Sequence, residues 1–189
     1  MKILIACEES ATVREAFRRR GHDAWSCDLI TSRVPGNHIQ GDVREILNRG
    51  WDMIIGHPPC TDLCNSGVRW LHSDPTRRAK MIDACELFLA IWNAPCQRVA
   101  IENPIMHKHA REIIKVKWSQ TVQPWMFGHG ECKRTCLWLR GGLPLLVPTN
   151  VVDGRDQRIH RMAPGPDRTR ERSVTYQGIA EAMATQWCF

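Results

Sequence analysis

Two short motifs place reactive side chains at the ends of apolar runs. His57-Pro58-Pro59-Cys60 follows Asp52-Met-Ile-Ile-Gly56, and Glu102-Asn103-Pro104 follows Arg98-Val-Ala-Ile101. The two prolines fix the backbone and remove two N–H donors, so the Cys60 thiol is presented from a rigid loop. A nucleophilic cysteine needs a depressed pKa, a positioned substrate, or both. His57 is close enough in sequence to help, although a three-residue offset does not place it as a base. Glu102 closes a buried run, where a carboxyl is costly unless paired or neutral. A raised pKa there would suit an acid that donates or shares a proton; backbone N–H groups would satisfy it equally well. Asp28 follows another run, where nucleotide-binding folds put an acid on ribose hydroxyls; a turn or cap role is the plainer reading. Asp42, in Gly41-Asp42-Val43, can accept from an adenine amine or cap the next turn.

The elements that must position these residues follow from hydrophobic patterning. Lys2 to Cys7 reads as a buried strand, with Ser10 as N-cap of a helix carrying Val13, Ala16 and Phe17 and closed by Gly21. Strands are expected at 23–27, 52–56, 98–102, 121–125 and 134–139, a helical turn from Gly41 through Leu47, and a loop over 31–37. Met81, Ala84, Cys85, Phe88 and Trp92 share one helical face, and 179–187 form a final helix. Strands alternating with helices predict an α/β fold, a doubly wound, mostly parallel sheet in a three-layer αβα sandwich. Ligands bind beyond the carboxyl ends of such strands. Cys7-Glu8-Glu9-Ser10, Asp28, His57 to Cys60 and Glu102 to Pro104 all fall there, which marks a site.

Composition narrows the class. The chain has 189 residues, 43% hydrophobic and 24% charged, which suits one folded domain and excludes a disordered chain. No apolar run approaches the roughly 20 residues of a membrane span. The charged start is unlike a signal peptide, so a cytoplasmic location is expected. A net charge of +6 suits a polyanionic partner. The nine cysteines are odd in number and irregular in spacing, which argues against a disulfide framework. His129, Cys132 and Cys136, with His107 and His109 upstream, lack paired zinc-ligand spacing, so free thiols and no metal are expected.

Pro59-Cys60-Thr-Asp-Leu-Cys-Asn-Ser66-Gly67 resembles the Pro-Cys loop of the DNA cytosine-5 methyltransferases. Glu102-Asn103-Pro104 resembles their Glu-Asn-Val motif, Gly41-Asp42-Val43 their adenine-contacting segment, and Trp25 to Leu29 their ribose-contacting strand end. Motif order and spacing agree from Lys2 to about Leu139, most of all with short, phage- or prophage-type members. The resemblance implies a Rossmann-like class I methyltransferase fold using S-adenosylmethionine. Cys7, Glu8, Glu9, Ser10, Asp28, Leu29, Asp42, Val43, His57, Pro58 and Ser173 would hold that cofactor. Cys60 would attack cytosine C6, and Glu102, beside Asn103, would hold the N3/N4 edge of a flipped-out base. Arg134 stands for the family's base-holding arginine, with Lys133 and Thr135 as alternatives; Pro59 and Ser66 would line the substrate. The implied setting is a monomer on DNA in a bacterial or phage-infected cell.

Four departures from the family pattern stand out. The cofactor loop, Ala6 to Thr12, has no glycine; Cys64 replaces a serine; the segment from Glu131 to Trp138 matches only in part. In place of a recognition domain there are only residues 140–172, with seven arginines against four acidic residues. Arg155, Arg158 and Arg161 would contact phosphates there, or the segment is a solvated loop; either way recognition would be short or relaxed. Two other readings remain open. One is an amino-methyltransferase acting on adenine N6 or cytosine N4, whose Pro-Pro motif should end in an aromatic residue where Cys60 stands. The other is a non-catalytic nucleic-acid-binding module with a methyltransferase fold.

Overall fold

The computed structural model describes every residue except 66, 67, 69, 70, 72, 166, 167 and 189, and leaves out the side chains of 75 and 169. Seven strands form one sheet: β1 (Lys2–Ala6), β2 (Asp23–Asp28), β3 (His38–Gln40), β4 (Met53–Gly56), β5 (Arg98–Asn103), β6 (Gln120–Val122) and β7 (Thr135–Arg140). Their order is β3-β2-β1-β4-β5-β7-β6. Neighbours from β3 to β5 pair in parallel, and β7 runs antiparallel to both β5 and β6. Helices α1 (Thr12–Arg18) and α6 (Gln177–Gln186) pack together on one face; α2 (Pro75–Trp92) and α3 (Lys108–Ile114) cover the other. Two short helices, α4 (Arg158–Arg161) and α5 (Arg168–Ser173), lie between β7 and α6.

Alternation along the strands divides the core, because successive side chains point to opposite faces. In β1, Ile3 and Ile5 join Phe17, Met183 and Trp187, whereas Leu4 and Ala6 join Phe88, Ile91 and Trp138. Gly56 ends β4 without a side chain because Ile91 is there: a Cβ would stand 2.8 Å from its Cγ2. The mostly parallel, doubly wound, three-layer architecture agrees with the sequence expectation.

Several local expectations are corrected. Ala11, at φ 63°, and not Ser10, occupies the N-cap of α1. The cap is supplied from outside the turn: the Glu8 carboxylate accepts from the amides of Val13 (2.6 Å) and Arg14 (3.2 Å). Helix α2 carries the expected apolar face of Met81 to Trp92 and begins earlier, at Pro75 with Asp74 as its cap, in polar turns that have no apolar period to mark them. Pro124 cuts the expected 121–125 strand to three residues and opens a 3-10 turn, Pro124–Met126. The short strand β3 and helix α3 carry no run long enough to be read in advance.

Candidate active site

The loop after β4 is fastened at three points. The Asn103 amide donates to the Pro58 carbonyl at 2.8 Å. The His107 ring donates from Nε2 to the Asp62 carbonyl at 3.1 Å, while its Nδ1 accepts from the Ala110 amide and caps α3. The His107 amide donates to the Leu63 carbonyl at 2.9 Å. Cys60, between these anchors, is held by its neighbours and not by its own burial in apolar packing. Asn103, expected to be catalytic, thus braces the Pro-Pro-Cys backbone, with its Oδ1 buried and without a partner.

Glu102 meets this loop from β5 and is buried to 7% exposure. His57 Nδ1 lies 2.9 Å from its Oε2, and Thr175 Oγ1 approaches the same oxygen at 3.5 Å. Burial alone would raise the Glu102 pKa. The His57 hydrogen bond, the Lys133 charge and the Thr135 hydroxyl outweigh it and hold the carboxyl below its usual range. The expectation of a raised pKa is therefore reversed: Glu102 rests as a carboxylate. For Cys60, the hydrogen bond with Cys64, burial and the Glu102 charge push the thiol well above its usual range, against the pull of Lys133. Cys60 thus rests as a protonated thiol within reach of the Glu102 charge.

Of Lys133, Arg134 and Thr135, where β7 begins, two converge here. Thr135 is buried, and Lys133 acts on both Glu102 and Cys60 while its ammonium donates to the Val174 carbonyl at 3.1 Å. Arg134 is exposed. Pro59 is exposed beside Cys60; Ser66 lies outside the described residues. Thr175 carries no signal of its own in the sequence. Ser173, the cofactor candidate of the same segment, donates its hydroxyl to the Arg170 carbonyl of its own helix at 2.7 Å. The polar position two residues later, on the chain returning to α6, reaches Glu102. Beside Thr175 a cleft of about 400 Å³ opens between the start of α1 and the start of α6, edged by Thr12, Arg33, His129, Arg158 and Tyr176.

The ends of β1, β2 and β3 form a second part of the site. Cys7 adopts φ 60°, and Ala11 φ 63°, so a loop without glycine takes the left-handed turns that favour glycine. Burial first, then the charges of Asp28 and Asp42, push the Cys7 thiol above its usual range, which brings these three side chains into one neighbourhood. Asp28 accepts from the Ile30 amide at 3.2 Å, and burial raises its pKa. Leu29 beside it is 71% exposed. Asp42 caps the 3-10 turn Val43–Glu45 through the Arg44 amide and also pairs with the Arg44 guanidinium. An exposed apolar side chain between two acids suits the adenosine end of a nucleoside cofactor. Glu8, Glu9 and Ser10 are engaged otherwise. The Glu8 carboxylate fills the α1 N-terminus, and Ser10 bonds to Glu8. Glu9 is clamped by Arg33 (2.6 Å) and Arg170 (3.1 Å).

The arginines of the 140–172 segment are exposed yet bonded within the protein. Arg155 lies over the Trp125 ring at 3.9 Å and donates to the Val152 and Gly154 carbonyls. Arg158 pairs with Glu131, and Arg161 with Asp156. The segment is laced to the chain ahead of β7 by bridges between Phe127 and Asn150 and between Glu131 and Asp156. It is therefore a built structure, not a free loop.

Sheet order, the single reversed strand and helices on both faces define a Rossmann-like methyltransferase fold, with Cys60, Glu102, Asp28 and Asp42 all at the carboxyl edge. No protein-family model and no curated protein sequence matches the chain. It is similar to solved structures, among them one assigned as a DNA modification methyltransferase encoded within a prophage of E. coli. The TM-score is 0.52 at 14% identity, over 87% of this chain and 56% of that one, so this chain spans just over half that protein's length. At that identity the likeness is one of fold.

Among the described residues no helix is long and apolar enough to cross a membrane, and no group of three metal-ligating side chains converges. All nine cysteines are free thiols.

Proposed function

We propose that this chain methylates C5 of cytosine in DNA, using S-adenosylmethionine and a covalent Cys60–C6 adduct on a flipped-out base. The observation that carries the reading is the meeting of Cys60 and Glu102, from adjacent strands, under the charge of Lys133. C5 of cytosine is too weak a nucleophile to take an electrophilic methyl unaided. Addition of the Cys60 sulfur to C6 moves electron density to C5 and onto N3, and Glu102 holds the N3/N4 edge where that charge gathers. Loss of the C5 proton and departure of the Cys60 thiolate then restore the ring.

Asp28, Leu29, Asp42 and Val43 would hold the adenosine end of S-adenosylmethionine, which supplies an electrophilic methyl. The chain's part is to fix the base against Cys60 and to keep water from competing. With residues 140–172 in place of a larger recognition domain, the reading expects a short or relaxed sequence context. Cysteine and carboxylate favour it over exocyclic amine transfer, which calls for an aromatic side chain where Cys60 stands. Bisulfite sequencing of DNA from cells expressing the protein tests it. Cytosines protected from conversion in a short context are expected; methyl found only on exocyclic amines would overturn it.

A further inference from the structure

The pairing of His57 with Glu102 has no counterpart in the roles assigned above. His57 Nδ1 and Glu102 Oε2 are 2.9 Å apart, both side chains are about nine-tenths buried, and the other ring nitrogen, Nε2, is buried with no partner among the described residues. A buried imidazole with one nitrogen on a carboxylate and the other unmatched is an expensive arrangement for packing alone. We infer that His57 and Glu102 act as one proton-carrying pair, in which His57 orients the Glu102 carboxyl and replaces the proton that it gives to the ring of the bound base. This rests on the cytosine-5 reading of the site.

The chemistry requires such a source. As sulfur adds to C6, N3 gains basicity and must be protonated for the adduct to be stable. An ionised carboxylate only accepts hydrogen bonds, and Glu102 is ionised at rest. The Cys60 thiol, hydrogen-bonded to Cys64, gives up its proton to water as the sulfur adds; the proton that lies on Glu102 itself is the one on His57 Nδ1. With His57 doubly protonated, the Nδ1 proton passes to Glu102 and from Glu102 to N3. The imidazole is left neutral with its proton on Nε2. After methyl transfer the C5 proton goes to water, the thiolate departs and takes a proton from water, and the N3 proton returns by the same path, so the pair ends as it began.

The groups facing the pair come from four elements. Glu8, after β1, interacts with the His57 charge. Lys133, ahead of β7, acts on Glu102, as Cys136 on β7 is acted on by it. Cys60 and Cys64 face it from the loop of His57 itself. The Thr135 and Thr175 hydroxyls complete the shell without titrating. Glu8 and Lys133 thus place ionisable groups of both signs beside the pair.

The test compares single-turnover methyl transfer to cytosine C5 across pH for the wild type, His57→Asn and His57→Ala. Asparagine places its amide nitrogen near the position of Nδ1, so it keeps a donor to Glu102 but carries no second proton. His57→Asn should lose about 100-fold in rate and lose the alkaline fall that the wild type shows. Imidazole added to His57→Ala should restore part of the rate. In folded wild-type protein, ¹⁵N shifts should show the His57 ring pass from doubly protonated to neutral when the adduct with 5-fluorocytosine DNA forms, a readout independent of any variant. A wild-type rate and pH profile in His57→Asn, or an unchanged ring in the adduct, would overturn the pair and leave the cytosine-5 reading standing. A wild type that forms no adduct and adds no methyl at C5 would remove both.

Discussion

The pocket at the ends of β4 and β5 and the basic segment 140–172 use polar side chains in opposite ways. The segment holds most of the visible charge, yet Arg155, Arg158 and Arg161 each have a partner nearby, and the segment stays in place because of them. The pocket holds fewer charges, and they are left incomplete. Among the described residues His57 Nε2 and Asn103 Oδ1 are buried without partners, Cys60 is a thiol acted on by a carboxylate, and the loop after β1 bends through two left-handed non-glycine residues. Charge density marks where the chain could meet a polyanion. Unsatisfied and strained groups mark where it waits for a particular molecule.

That contrast can be broken by substitution, and the largest effect belongs to the pocket. Glu102→Gln keeps the shape and the His57 contact but cannot cycle a proton. It should slow single-turnover methylation by about 10²- to 10³-fold with little change in cofactor affinity; a loss confined to KM would contradict the account. Next comes the clamp on Glu9. Glu9→Gln should destabilise the protein by about 1.5 kcal/mol at neutral pH, the range for hydrogen bonds to a charged group. Burial would raise the Glu9 pKa, but Arg33 and Arg170 hold it below its ordinary 4.5. The stabilisation is therefore complete above that value and lost as pH falls through the lower folded value. Urea titrations of both proteins should converge below pH 4.5; a gap that widens there would reverse the sign.

A smaller effect tests the strain in the glycine-free loop. Ala11 and Ala16 are both buried, but only Ala11 has a left-handed backbone. Ala16→Gly should cost about 1.5 kcal/mol in lost burial and helix propensity. Ala11→Gly should be nearly neutral, because relief of about 1 kcal/mol offsets its losses. Equal costs in thermal or chemical unfolding would mean that no strain is stored at Ala11. The smallest effect is expected where charge is greatest. Replacing Arg155, Arg158 and Arg161 together should lower the log–log salt slope of DNA binding by less than about one, since Glu131, Asp156 and Trp125 already engage them. A fall of about three, one for each phosphate contact, would show that these arginines leave their partners on DNA.

Much of the frame was legible because it rests on apolar runs. β1, β4 and β5 are buried on both faces, and their ends put Cys60 and Glu102 in view as candidates. What stayed hidden depends on the chain returning from afar. Thr175 reaches Glu102 only because the chain returns to α6 beside α1, and nothing in the sequence chooses Lys133 over its neighbour Arg134. Glu8 and Glu9 are identical neighbours with opposite roles: the left-handed turn at Cys7 sends one into α1 and the other to Arg33 and Arg170. Nothing in their order says which. Burial raises the pKa of Glu8, whereas the arginines lower that of Glu9. His107 and His109 invited a metal reading by composition; the structure uses His107 to pin the Pro-Cys loop instead.

The central claim is that Cys60 is the nucleophile, and trapping tests it most directly. Fluorine at C5 cannot leave as a proton, so DNA carrying 5-fluorocytosine should remain bonded to the protein after methyl transfer. The account predicts a denaturation-resistant complex that requires S-adenosylmethionine, maps to Cys60 by peptide mass, and vanishes in Cys60→Ser while cofactor binding persists. A complex that maps to Cys64 and survives Cys60→Ser would contradict it.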